Sequence, residues 1–274
     1  MVVDDHYRHT LEALYRRYNR RAYVEPDPLQ VLYRYDDICD REIAALLASS
    51  LAYGRVSQII KTVSSVLDEM NPSPHRFISD ATDRSLKDQF SRFRYRFTSG
   101  GELTALLRSI KRVLTEWGSL RKCFAAAVNT DDETVGEALC RFIDVLGEKE
   151  NGHYYNSLLP RPSRGSACKR LNLFLRWMVR RDDVDPGGWD EVPASQLIIP
   201  LDTHMHRTGM ACGITNRKQG DMRTALEMTR FFRKLCPGDP VRYDFVLTRL
   251  GIRDDMDRAG FLQSWKMKGF SGQA

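Results

Sequence analysis

Apolar residues recur at helical spacing in one segment of this chain after another, and no run alternates long enough to make a conventional strand. Over residues 6–23, Leu11, Leu14, Tyr15 and Tyr18 share one side while Arg16, Arg17, Arg20 and Arg21 share the other, so an amphipathic helix is expected, closed before Pro26 and Pro28. Asp37 or Asp40 can cap a second helix, whose stripe of Ile43, Leu46, Leu47, Ser50 and Leu51 runs to the break at Tyr53-Gly54. Residues 56–70 repeat the pattern through Ile59, Ile60, Val63, Val66 and Leu67 and stop at Asn71-Pro72-Ser73-Pro74. Gly100-Gly101 opens a helix through Leu103, Leu106, Leu107, Ile110, Val113 and Leu114 that ends near Gly118, and two more are expected over 120–128 and 134–147. Arg92-Phe93-Arg94-Tyr95-Arg96-Phe97 alternates basic and aromatic side chains. That suits a short extended segment, a helix end touching phosphates and bases, or arginine stems lying across packed rings. The expected fold class is all-α, with short loops, no internal repeat and no low-complexity linker.

Composition narrows the function. With 42% hydrophobic residues in 274, the chain can bury a core as one large domain or two modest ones. Lys and Arg total 42 against 36 Asp and Glu, a net charge of +6, which favours a polyanionic partner and equally fits a solvated basic surface. The six cysteines are scattered with no C-x-x-C pair, so reduced thiols are expected, with no zinc, no iron–sulfur cluster and no other cofactor. No charged-then-apolar leader opens the chain, and no apolar run approaches the roughly 18 residues that span a bilayer. A cytoplasmic, monomeric protein with no membrane contact is expected.

The chemistry concentrates in residues 158–207. From Arg161 to Arg181 there are seven basic residues and no acidic one. On a helix starting near Ala167, Lys169, Asn172, Arg176 and Arg180 share a face opposite Leu171, Phe174, Leu175, Met178 and Val179, so one face would anchor in the core and the other offer cations. Pro160, Pro162, Gly165 and Ser166 precede it in a tight turn, whose N–H groups at a helix N-terminus can hold a phosphate. Downstream, Pro200 restricts Ile199, and Asp202 can cap a helix starting at Thr203. His204 and His206 fall on different sides of that helix, and no carboxylate cluster completes a metal site.

The segments RGSACKRLN and PLDTHMHR resemble the helix-hairpin-helix DNA glycosylases with the Gly-Pro-Asp element, and SACKRLNLFLRWMVRRDD, DPGGW, LIIPLDTHMHR and DPVRYDF resemble an uncharacterised bacterial family within that superfamily, related to the archaeal 8-oxoguanine glycosylases. The resemblance implies a two-lobed helical bundle forming one unit over 1–274, with a hairpin-bearing catalytic lobe over 75–200 and a lobe built from both chain ends, 1–74 and 201–274. By motif it makes Lys169 the catalytic lysine, Asp202 the catalytic aspartate and Gly165 a hairpin residue. The hairpin reads Arg164-Gly165-Ser166-Ala167-Cys168 rather than the usual glycine-hydrophobic-glycine. Leu46-Leu47-Ala48-Ser49-Ser50 is similar to the early helix whose end faces DNA, which brings Ser50 and Arg55 into the expected interface with Arg164, Gly165, Ser166, Arg176 and Arg180. Asp244 matches by its place an aspartate that contacts the purine edge, and Trp177 is a candidate to stack on an extruded base, although tryptophans in all-α domains, Trp189 included, more commonly sit in the core.

The implied activity is base excision from DNA that is damaged and possibly single-stranded, with an oxidised purine as the expected lesion. Asp202 would stabilise positive charge developing on the sugar. Lys169, neutral after losing its proton to Asp202 or the leaving base, would attack C1′ and form a Schiff base, so that strand cleavage by β-elimination follows. The other reading of the same residues is a non-catalytic nucleic-acid-binding protein that keeps the fold.

Overall fold

The computed structural model describes residues 5–147 and 156–266, except for the side chain of Arg164. The tail 269–274, expected to fray, lies outside the described residues. The chain is mostly helical, as its periodicity implies. In order come α1 (Asp5–Tyr18), α2 (Ile38–Ser50), α3 (Val56–Asp68), α4 (Pro74–Asp80) and α5 (Asp83–Phe90). A two-residue hairpin follows, β1 (Arg94–Tyr95) and β2 (Thr98–Ser99), in which Arg94 pairs with Ser99. The chain continues through α6 (Gly100–Trp117), α7 (Leu120–Ala127), α8 (Gly136–Leu146) and α9 (Lys169–Val179). It closes with α10 (Thr203–Ala211), α11 (Met222–Leu235), α12 (Asp244–Leu250) and α13 (Arg258–Lys266).

Local chemistry sets most boundaries. Asp37 caps α2 by accepting from the Cys39 N–H at 2.7 Å. Ser99 and Glu102 form a capping box on α6, which ends at Gly118 in the left-handed conformation (φ 78°). Two expected boundaries move. The first helix ends at Tyr18 rather than Tyr23, because Arg20 is extended and a single 3₁₀ turn, Arg21–Tyr23, carries the chain on. In the sequence Asp239-Pro240 also suits the first turn of a helix, yet α12 begins at Asp244, after a turn.

Helices α4 to α8 pack largely on one another, α1 packs on α12 and α13, and α10 on α12. Helix α2 packs on α4, α7 and α9, and α9 reaches α12 through the Arg176–Asp244 pair. Both α2 and α9 are buried on all sides over nine consecutive residues, Glu42–Ser50 and Leu171–Val179. One hydrophobic core runs through the whole arrangement. After α9 the chain doubles back through Pro186-Gly187-Gly188. At Gly188 φ is +128° and a Cβ would lie 2.2 Å from Ile38 Cδ1, so only glycine lets this turn close on α2. The turn delivers Trp189 into the core, where its indole N–H donates to Glu42 at 3.1 Å. Among the described residues, no helix is long and apolar enough to cross a membrane.

Candidate active-site cleft

A cleft of about 810 Å³ opens where several separate stretches of chain meet, Pro26 to Pro28 among them. The α2–α3 connection contributes Tyr53, Gly54 and Val56, and the start of α9 contributes Lys169, Arg170, Leu173 and Arg176. The segment entering α10 supplies Pro200 to His204, and α12 supplies Asp244, Phe245, Thr248 and Arg249. Lys169 and Asp202, brought together in the sequence only by motif, therefore line one cavity.

Lys169 is the first residue of α9, after Cys168 in the left-handed conformation (φ 46°). It makes no ion pair and no side-chain hydrogen bond among the described residues, so its amine is available to the cleft. Asp202 caps α10: Oδ1 accepts from the Met205 N–H at 2.8 Å. This fixes the carboxylate, while Oδ2 has no hydrogen-bond partner among the described residues. Capping and catalysis are thus compatible, since they use different oxygens.

Arg170 locks the Lys169 turn in place. Its guanidinium donates to the backbone oxygens of Ser50 at 2.5 Å and Ser157 at 2.6 Å and lies over the Tyr53 ring, tying α9 to the end of α2. On the far wall Arg249 holds the segment before α2 by donating to the oxygens of Val24 at 2.8 Å and Pro26 at 3.1 Å and by pairing with Asp27.

Asp244 lies in the cleft floor, buried, with Oδ2 accepting from Arg176 Nη1 at 2.6 Å and Oδ1 without a hydrogen-bond partner among the described residues. Burial pushes its carboxyl up to about 6, and the Arg176 guanidinium opposes the rise. The nearby charge of Asp202 adds to it.

Several sequence expectations fail here. Arg176 and Arg180 do not present cations to a phosphate. Both are buried: Arg176 is clamped between Asp244 and Asp185, and Arg180 between Asp185, Asp182 and Asp239. Two arginines facing four aspartates leave no surplus positive charge, so the far face of α9 is a second buried face. Trp177 is fully buried in the core and does not line the cleft, so it stacks on no ligand there. Trp189 is likewise core. Ser50 is fully buried at the end of α2, and its backbone oxygen is already taken by Arg170.

The remaining residues named for nucleic acid stand outside the cleft. Gly165 and Ser166 are exposed, held to α11 by a bridge between Ser166 and Asp221, and the Ser166 hydroxyl accepts from the Cys168 N–H at 3.2 Å. The Arg164 side chain lies outside the described residues. Arg55 is exposed beside Gly54 at the cleft edge. Sequence reasoning passed over Tyr53, Arg170 and Arg249; the break at Tyr53-Gly54 was the signal that the chain turns there.

No curated protein and no solved structure matches the chain. The family described as a protein of unknown function, DUF2400, matches residues 27–253, which take in Lys169, Asp202 and Asp244, and the chain belongs to that family.

Proposed function

We propose that the chain is a DNA base-excision glycosylase and abasic-site lyase of helix-hairpin-helix type, acting on an oxidised purine. The observation that carries this reading is the cleft shared by an unpaired lysine and a fixed carboxylate. The Lys169 amine is presented at the start of a buried helix, and Asp202 is held by its capping bond. The nucleotide sugar would sit between them. Oδ2 of Asp202 stabilises positive charge as the C1′–N bond breaks and its electrons leave with the base, which takes up a proton. Lys169 Nζ, having given up its proton, forms the bond to C1′, and ring opening yields the Schiff base that permits β-elimination of the 3′-phosphate. The cavity has room for an extruded base, and Asp244 with its unpartnered Oδ1 supplies an acceptor for a base N–H. Arg176 and Arg180 are taken up by buried ion pairs, so neither supports this reading as a free cation beside Lys169.

Borohydride trapping tests this. Wild-type protein is expected to form a covalent adduct with an oligonucleotide carrying 8-oxoguanine or an abasic site. Lys169→Gln is expected to abolish the adduct, and Asp202→Asn to lower its rate by at least about a hundredfold. Binding without an adduct on any substrate would leave the non-catalytic nucleic-acid-binding reading, and base release without an adduct would leave a monofunctional glycosylase.

A further inference from the structure

The basic and aromatic run 92–97 is not used by the cleft chemistry, yet the fold carries it to the cleft's edge. Tyr53, a lining residue, accepts a hydrogen bond from Tyr95 Oη at its backbone oxygen and donates its own hydroxyl to the Tyr95 backbone oxygen at 3.2 Å. Arg96, at the hairpin tip with φ 52°, folds over Gly54: a Cβ there would lie 3.1 Å from its Cδ. Phe97 then stacks on the Tyr53 ring with centroids 4.8 Å apart and planes 12° from parallel, while Arg170 covers Tyr53 at 5.3 Å.

One face of Phe97 is therefore covered, and the side chain is still 66% exposed, the most of any large hydrophobic among the described residues. A single exposed ring is ordinary on a protein surface. This ring is different because it continues an aromatic stack out of the cleft and sits in a stretch of chain rich in exposed arginines. Arg55, Arg92, Arg94 and Arg96 are all exposed, and none makes an ion pair among the described residues. Ile252, also exposed, lines the same cleft.

We infer that Phe97 is a stacking platform for an unpaired nucleobase of the bound DNA strand, next to the nucleotide held in the cleft, with the four arginines neutralising the adjoining phosphates. The planar open face fits a base, and the unpaired positive charge fits the backbone that carries it. The inference rests on the nucleic-acid reading above and adds that the strand beside the target is unpaired.

The test uses the full chain and two fluorescein-labelled single-stranded probes of equal length and charge, one of thymidines and one of tetrahydrofuran abasic units. Phe97→Ala is expected to weaken binding of the thymidine probe about tenfold and of the abasic probe less than about twofold, whichever the wild type prefers. Phe97→Trp is expected to keep the thymidine affinity. An unchanged thermal midpoint would show that the exposed position has not altered folding. Equal weakening of both probes, or no weakening of either, overturns the platform while leaving the nucleic-acid reading intact. Failure of the wild type to bind either single-stranded probe overturns the platform and its unpaired strand, while the nucleic-acid reading stands or falls by the borohydride trapping above.

Discussion

At the scale of single residues, the run 161–181 shows how charge misleads when partners are distant. Its arginines look like an anion-binding face because no acid interrupts them, yet Asp182 and Asp185 follow shortly after Arg180, and Asp239 and Asp244 arrive from the other end of the chain. Local pattern gives the period of α9 but not what faces it. Lys169 and Asp202 were singled out by resemblance to the glycosylase motif; the residues alone gave only a helix start and a capping position after Pro200. Arg176→Met tests the correction. It leaves Asp185 and Asp244 buried with less compensation, so unfolding free energy is expected to fall by about 3–5 kcal/mol in a denaturant titration. The salt dependence of any DNA binding by the folded variant is expected to stay unchanged, because a buried, neutralised guanidinium releases no counterions. A shallower salt slope with unchanged stability would restore the phosphate-binding reading.

At the scale of elements, boundaries written in local chemistry were readable and those written in tertiary contacts were not. The capping positions Asp37 and Asp202 and the closing Gly118 all hold. Helices α4 and α5 are short and carry few apolar positions, so packing on α6 rather than propensity sustains them. Helix α11 is a different case: Ala225, Met228, Phe232 and Leu235 recur at helical spacing, and the signal was there to be read. The start of α7 shows what no local pattern reveals. Glu42 on α2, distant in sequence, accepts from the N–H groups of Leu120 at 2.7 Å and Arg121 at 3.0 Å, besides the Trp189 indole. A carboxylate has acceptor oxygens for all three donors, whereas an amide turns an NH₂ group toward one of them. Glu42→Gln is therefore expected to lower stability by about 1–3 kcal/mol. Hydrogen exchange should show the loss first at the Leu120 and Arg121 amides, and unchanged protection there would refute the cap.

At the scale of the whole molecule, the cleft exists because α2, α9, the α10 entry and α12 meet, and no window of sequence contains that meeting. The same convergence buries two carboxyls that give the fold a pH signature. Burial pushes Glu42 up to about 7, against its three N–H donors, and Asp244 up to about 6, against Arg176. Each is protonated more readily in the folded chain than in the unfolded one. Between the ordinary carboxylate range and these raised values the folded state binds more protons, so stability falls as pH rises through that window. Asp182 acts in the opposite sense. Although its own burial works against ionisation, the Arg180 charge and the N–H donors of Asp185 and Val184 hold it down at about 2, so its contribution is present above the ordinary range and lost as pH falls through about 2. The two raised groups therefore work toward a thermal midpoint that declines as pH rises from the ordinary carboxylate range toward neutrality, and Asp182 toward one that declines in strong acid. Replacing both raised groups, Glu42→Gln with Asp244→Asn, should lower the midpoint throughout and flatten that decline. A wild-type midpoint that climbs steadily from pH 5 to pH 7 would mean that both carboxylates are held ionised by their partners. The cleft would then carry fixed negative charge at Asp244 as well as Asp202, and that would favour a ligand that brings a proton or a cation to the floor.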